Sequence, residues 1–446
     1  MKINIPDNAN YILDKLNQAG FEAYVVGGCV RDSILGKTPS DWDVTTSAKP
    51  EEVKRIFRRT VDTGIKHGTV TVLLDKESYE VTTYRIDGDY GDGRHPDSVL
   101  FTDKLKEDLR RRDFTINAMA YNDRDGLVDI FGGIGDIEKK LIRCVGVPDE
   151  RFSEDALRMM RAVRFSGQLG YEIDEDTLKA IEAHSSDLRK ISAERIRDEF
   201  VKLLISEHPE KLRIAYRTGL TKVFLPEFDT MMRTKQIHPH HMYDVGEHTI
   251  HAVMEIDAEK DLRLAMFFHD IAKPPCLTVD KEGITHFHGH PEMGAKMTVD
   301  IMRRLRFDND TIERVSRLVK FHDYGNGMDI TKKVTRRAMR KMGKDIFPAF
   351  LKIKRADILS QSMYLREEKL AELGHFAGYY EEIIRDEECT GLKELAVNGS
   401  DLIAHGMSPG RELGETLNKL LDRVVDNPKL NEKSKLLELV DQWQGI

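Results

Sequence analysis

An α/β head (a small mixed sheet flanked by helices) followed by an elongated all-α neck, body and tail is the architecture this sequence predicts. Three observations predict it. A chain of 446 residues exceeds one ordinary hydrophobic core and points to two or three domains. The first 145 or so residues alternate short apolar runs with turn residues. Beyond Pro148 strand signals nearly vanish and apolar residues recur at helical spacing, as at Ala156, Met159, Met160 and Val163.

Taken in order, residues 10–19 read as a helix ended by Gly20, and Phe21 to Val26 as a strand running into Gly27-Gly28. Trp42 to Thr45 reads as a second strand. Pro50 to Arg58 is helical, with Pro50 in its first turn. Thr69 to Leu74 and Tyr79 to Arg85 form a hairpin around Asp75-Lys76-Glu77. Residues 87–98, with three glycines and a proline, form a flexible loop. The helical remainder is punctuated at Pro226, Pro239, Pro274-Pro275, Pro348 and Pro409. The expected divisions are a head at 1–145, a neck at 146–225, a helical domain at 226–365 and a tail at 366–446.

Composition narrows the class. A formal charge of -8 does not describe a general polyanion binder, although local charge decides nucleic-acid binding. Lys332, Lys333, Arg336, Arg337, Arg340, Lys341 and Lys344 form one basic stretch, either a solvated helix face or a strip that contacts phosphates. Cys29, Cys144, Cys276 and Cys389 show neither zinc-ribbon nor disulfide spacing. With no basic-then-apolar leader and no run of membrane length, the expected setting is the cytoplasm, away from membranes.

Two patterns carry chemistry. Gly27-Gly28-Cys29-Val30-Arg31-Asp32 lies between a strand and a helix, where glycines permit close backbone approach and free amides can hold phosphate. Alone it is also compatible with a plain turn. In an extended segment Asp41 and Asp43 point the same way and could hold two Mg²⁺ ions roughly 3.5–4 Å apart for in-line phosphoryl transfer. Glu80, in the hairpin, is a third carboxylate or one half of a cross-strand charge pair. Histidines are the second pattern: ten of sixteen fall between His238 and His322. With His269-Asp270 among them they suit a divalent metal.

The run GGCVRDSILG, DWDVTT, EVTTYR, RRDFTINAMAY and SEDALRMMRAVRF, over residues 20–205, strongly resembles the bacterial CCA-adding enzymes and poly(A) polymerases, which are polymerase-beta-like nucleotidyltransferases. The resemblance implies Asp41 and Asp43 as the catalytic pair that holds Mg²⁺, and Glu80 is expected as the third catalytic carboxylate. It implies Gly27, Gly28 and Arg31 as the grip on the triphosphate, and Arg112, Asp113 and Asn117 as the reader of sugar and phosphates. On a helix expected over 153–169, Asp155 and Arg158 are neighbours at i and i+3, so a paired carboxylate and guanidinium could imitate a Watson–Crick edge. The family uses these two as a protein template for C and A, and Arg161 and Arg164 complete the expected nucleotide-binding set. The loop 87–98 matches a flexible element needed for the final A. Gly68-Thr69-Val70-Thr71-Val72 favours the CCA branch over the poly(A) branch, which stays as the alternative together with A-only addition. Substrates and partners so implied are CTP, ATP and tRNA.

The order His248, His269-Asp270 and Asp357 resembles the HD phosphohydrolases over about 245–360, with His290 and His322 at the positions of additional ligands in two-metal members. This implies an HD-type helical domain with a divalent ion (Mg, Mn, Ni or Co) that hydrolyses phosphate esters. The basic residues 332–344 are the candidate tRNA contact.

Overall fold

The computed structural model describes residues 2–88 and 98–444. The chain packs as two compact units, Met1–Pro226 and Glu227–Ile446, so the four expected segments group into two. Residues 89–97, the centre of the expected movable loop, lie outside the described residues.

The first unit opens with α1 (Asp7–Gln18), β1 (Ala23–Val26), α2 (Gly28–Ile34), β2 (Val44–Thr46), α3 (Pro50–Ile56), β3 (Thr60–Gly64), β4 (Thr69–Leu74) and β5 (Glu77–Thr83). The short pair β6 (Arg85–Asp87) and β7 (Val99–Phe101) follows, then α4 (Leu105–Arg110), a 3-10 turn at Thr115–Asn117, β8 (Ala120–Asn122) and β9 (Gly126–Val128). The strands form a seven-stranded mixed sheet in the order β3-β4-β5-β2-β1-β8-β9. The β4–β5 turn is Asp75-Lys76 with φ of 46° and 73°; two positive φ values match the strand twist of a two-residue hairpin, so Glu77 already belongs to β5. The expected strand over 42–45 begins only at Val44, because β1 pairs with Val44, Thr45 and Thr46. Asp41-Trp42-Asp43 forms its lead-in.

The unit continues with α5 (Gly133–Glu138), β10 (Leu141–Ile142), α6 (Pro148–Glu154), α7 (Leu157–Leu169), β11 (Glu172–Ile173), α8 (Glu175–His184), α9 (Ala193–Leu204), α10 (Leu212–Arg217) and α11 (Thr221–Phe224). The expected single helix over 153–169 is two helices. Asp155 adopts φ -142° and ψ 102°, extended backbone that ends α6, and its Oδ1 accepts from Leu157 N at 3.0 Å to start α7. The stripe Ala156, Met159, Met160 and Val163 is buried, as its spacing requires.

After α12 (Pro226–Met231), the second unit is helical. It contains α13 (Val245–Glu255), α14 (Lys260–Phe268), the small hairpin β12 (Thr278–Val279) and β13 (Thr285–His286), α15 (His290–Arg304), α16 (Asn309–Phe321), α17 (Lys332–Met342) and α18 (Phe347–Ser360). It ends with α19 (Arg366–Arg385), α20 (Gly399–Ala404), α21 (Arg411–Asp426) and α22 (Lys433–Gln444). Phe267, Phe268, Phe347, Phe350 and Phe376 are fully buried, while Leu420, Leu421, Val424, Leu436 and Val440 belong to a separate cluster near the C-terminus. Among the described residues, no helix is long and apolar enough to cross a membrane.

Gly246 in α13 sits against the backbone of Met232: an added Cβ would lie 2.7 Å from its N and Cα. Gly246→Ala should therefore lower the stability of this unit by about 1–3 kcal/mol, the usual cost of overpacking. Urea denaturation would show this as a lower midpoint, and an unchanged midpoint would contradict the packing.

Candidate functional sites

In the first unit the sheet itself builds the carboxylate cluster. β2 and β5 run parallel with Val44 opposite Val81, so the residues immediately before them, Asp43 and Glu80, are neighbours. Val26 N donates to the Asp43 carbonyl at 3.0 Å, which ties this pair to the end of β1, just before Gly27. Gly27 has φ 85°, and a Cβ there would meet Arg112 Nη1 at 3.0 Å. This turn needs glycine both for its dihedral and for the close approach. Asp43, Glu80, Arg85, Arg111 and Arg112 line a cleft of about 250 Å³. Burial pushes the Asp43 carboxyl up to about 6; Arg112 opposes this, and the Asp41 and Glu80 charges add to it. Asp41 is exposed and accepts from Ser40 Oγ at 3.0 Å. Carboxylates that disfavour one another's charge, with no imidazole or thiolate among them, suit a hard cation such as Mg²⁺.

Arg111 and Arg112 also line a second cleft of about 250 Å³, with Asp113, Asp155, Leu157, Arg158, Arg161 and Arg195. The fully buried Asp108 holds both arginines: Arg111 Nη2 lies 2.7 Å from its Oδ1 and Arg112 Nη2 3.5 Å from its Oδ2. Sequence reading missed Asp108, although its i,i+3 and i,i+4 spacing to Arg111 and Arg112, just past the end of α4, was a usable signal. Arg161 pairs with Asp113 at 2.6 Å. Asn117 Nδ2 donates to Asp113 at 3.2 Å, and Arg31 Nη1 donates to Asn117 Oδ1 at 2.6 Å. Arg31, Asn117, Asp113 and Arg161 are thus one chain of contacts.

Two expected placements need correction. Asp155 and Arg158 do not pair. The extended backbone at Asp155 directs its carboxylate to Arg195, with Oδ2 2.8 Å from Nη2 and Oδ1 3.3 Å from Nη1. Arg158 pairs with Glu154 and donates to the carbonyls of Arg151 at 3.0 Å and Arg111 at 2.9 Å. Both side chains nevertheless line the same cleft. Arg164 is buried against Glu199 and donates to Gln168 at 2.8 Å; its guanidinium lies 3.8 Å from the Phe165 ring centroid, and it does not line the cleft.

The second unit brings all six expected metal ligands together. His248, His269 and Asp357 form one group, and Asp270, His290 and His322 another; within each group the ligand atoms lie within 4.8 Å of one another. His269 Nδ1 lies 2.6 Å from the Met266 carbonyl, His290 Nδ1 2.8 Å from that of Phe287, and His322 Nδ1 2.7 Å from that of Val319. An Nδ1–H donated to a carbonyl leaves Nε2 as a lone pair aimed inward, the arrangement of metal-binding imidazoles. His269 Nε2 is 3.3 Å from His248 Nε2, and His290 Nε2 is 3.2 Å from His322 Nε2. The donor set therefore fits one or two divalent ions, imidazole and carboxylate together suiting transition metals. Asp323, 3.4 Å from His290, and Lys273, 2.7 Å from Asp270, also belong to this site and were missed from the sequence.

The basic stretch also needs correction. On α17, Lys332 pairs with Glu382, Asp386 and Glu388, Arg336 with Glu388, Lys333 and Arg337 with Asp426 and Arg340 with Asp422; just past the helix, Lys344 pairs with Glu394. Helix packing turns this face onto acidic residues of α19, α21 and nearby loops, so much of its charge is already neutralised.

Residues 23–143 match the poly A polymerase head domain, residues 170–232 a probable RNA and SrmB-binding site of polymerase A, and residues 282–440 a putative tRNA nucleotidyltransferase domain 2. The CCA-adding enzyme of Lactobacillus helveticus is 39% identical over 422 residues, covering 93% of this chain and 92% of the relative. That of Pediococcus pentosaceus is 36% identical over 441 residues, 98% of each chain. The crystal structure of the Bacillus stearothermophilus CCA-adding enzyme in complex with CTP is similar with a TM-score of 0.70 and 28% identity over 98% of each chain. The Thermotoga maritima CCA-adding enzyme complexed with tRNA shares the fold, with a TM-score of 0.62 at 21% identity over 99% of this chain and 100% of that one.

Asp113 offers a stability test. Burial raises its pKa, but the Arg161 charge and hydrogen bond, with help from Arg158 and Asn117, outweigh burial and bring it to about 2. A carboxyl lowered from about 3.9 stabilises the fold above that value, and the stabilisation drains away as pH falls toward 2. The wild type should lose about 2–3 kcal/mol between about pH 5 and 2 that Asp113→Asn does not lose, as read from denaturation midpoints across that range.

Proposed function

The chain belongs to the CCA-adding enzymes, and from that membership we propose that it adds C, C and A in turn to the 3′ end of tRNA, from CTP and ATP, without a nucleic-acid template. The observation that carries the finer reading is that Arg111 and Arg112 line both clefts. A triphosphate gripped by these arginines and the Gly27-Gly28 turn would have its reacting end toward Asp43 and Glu80 and its base toward Asp155 and Arg158. Asp41, Asp43 and Glu80 would hold Mg²⁺. Bound there, it would supply Lewis acidity to the attacking hydroxyl and the triphosphate.

Arg31, Asn117, Asp113 and Arg161 would order the ribose and phosphates, since a 2′-hydroxyl takes both a donor and an acceptor. Asp155 would accept from the amino group of cytosine or adenine while Arg158 donates to the ring. A carboxylate has about four lone-pair sites, so its contact with Arg195 leaves sites for a base. Uracil and guanine present the opposite polarity and would leave buried groups unpaired.

The assay is tRNA lacking its last three nucleotides, with Mg²⁺, CTP and ATP. Three additions in the order C, C, A are expected, whereas A additions alone would favour the poly(A) or A-only alternative. Asp155→Ala should lose the preference for CTP and ATP over UTP; an unchanged preference refutes the template role.

The second unit is read as an HD-type phosphohydrolase, supported by the two inward-facing ligand groups. His248, His269 and Asp357, with Asp270, His290 and His322, would hold one or two divalent ions. Such ions supply Lewis acidity and a more acidic water. The substrate class is a phosphate ester such as a 2′,3′-cyclic phosphate at an RNA end, a group that blocks the 3′-hydroxyl needed for extension. His269→Ala should abolish metal-dependent hydrolysis of 2′,3′-cyclic AMP and keep nucleotide transfer. Absence of hydrolysis by the wild type with Mg²⁺, Mn²⁺, Ni²⁺ and Co²⁺ would refute this activity.

A further inference from the structure

The cavity that reaches the ligand groups of the second unit measures about 630 Å³, the size of a pocket for a small organic ligand and more than a phosphate group fills. Much of its wall is made of histidines outside the two ligand groups. His238 and His240 stack with centroids 4.9 Å apart and planes 16° apart; His286 and His288 stack at 5.7 Å and 5°. A clasp joins the segments bearing the pairs: Thr285 N donates to the Ile237 carbonyl at 3.0 Å, and Ile237 N donates to Thr285 Oγ1 at 2.9 Å. The segment after α18 fixes His240. Ser362 N donates to the His240 carbonyl at 2.9 Å, Ser362 Oγ donates to the Pro239 carbonyl at 2.6 Å, and the Tyr364 ring meets the imidazole edge-on at 4.9 Å. Lys273, Lys354 and Lys369 border the same cavity.

Two His-x-His sequences on clasped segments could suggest another metal site, but the geometry argues against it. Among the described residues, these imidazoles belong to no group of three ligand atoms within 4.8 Å. His286 Nε2 is engaged by Asp280 Oδ2 at 2.8 Å, and His238 Nδ1 accepts from His240 N at 3.3 Å. Parallel rings offer faces, and the ligand that uses an aromatic face beside lysines and a phosphate-directed metal site is a nucleotide.

We propose that the His238–His240 stack is a nucleobase subsite, so that this cavity takes a nucleoside phosphate with its base on the imidazole face and its phosphate toward the lysines and the two ligand groups. The placement of the phosphate rests on the phosphohydrolase reading; the base subsite has its own test. Stacking accepts any base face, so the subsite distinguishes nucleotides from other phosphate esters without selecting a base.

Calorimetric titration of the full chain in Mn²⁺ with adenosine 2′-monophosphate and with glycerol 2-phosphate tests this. The nucleotide should bind about tenfold or more tightly than the baseless ester, the range expected for one base stack. His240→Ala should remove most of that difference, and His240→Phe, which keeps a ring face and removes the ring nitrogens, should restore it. Equal binding of the two phosphates by the wild type, or no binding of either, overturns the proposal. So does a His240→Phe protein as weak as His240→Ala, which would assign the imidazole nitrogens to a metal or a hydrogen bond. Nucleotide binding without hydrolysis of 2′,3′-cyclic AMP would refute the hydrolase and leave the subsite standing.

Discussion

The parallel pairing of β2 with β5 is the constraint on which the first site depends. The other neighbouring pairs of the seven-stranded sheet run antiparallel. The single parallel step, with Val44 opposite Val81, sets Asp43 beside Glu80 although 36 residues separate them in the chain. A slip of one residue would reverse the faces of that strand and take one carboxylate out of the cleft. The buried Val44, Val70 and Val81 oppose such a slip, because their side chains would leave the core. Hydrophobic burial in the sheet therefore holds together carboxylates that repel one another.

Around that cluster charge is organised by burial rather than diluted by solvent. Asp108 and Asp113 are buried, and each holds arginines that face a cleft. Buried carboxylates in such numbers would be unstable without partners, and the partners are the guanidiniums that line the two clefts. The stability of the unit and the orientation of these guanidiniums thus share the same contacts. Arg164 and Glu199 use similar chemistry between α7 and α9 but away from the cleft, which makes that pair architectural.

In the second unit the comparable device is the helix end. His269 and His322 occupy the C-cap positions of α14 and α16, where the last turns leave carbonyls without intrahelical partners. Their Nδ1 atoms meet carbonyls three residues back, which fixes both rings. His290, at the start of α15, reaches the same geometry from a loop carbonyl. Helix termini converging on one place gather imidazoles and carboxylates from residues far apart in the chain.

Local pattern made the α/β-to-helical change, the β4–β5 hairpin and the buried stripe on α7 legible, because each rests on spacing within one segment. Asp41, Asp43 and Glu80 could be named as candidates, as could the six His and Asp side chains that the second unit gathers, from the order of motifs along the chain and their resemblance to known families. Tertiary structure alone decided what each charge faces. It broke the expected helix at Asp155 and gave that carboxylate to Arg195, buried Arg164 against Glu199, and turned the basic face of α17 onto acidic helices. The physical reason is range: helical and strand periodicity is set by neighbours a few residues away, whereas the partner of a long charged side chain is chosen by whatever the packing of distant segments brings within a few ångströms.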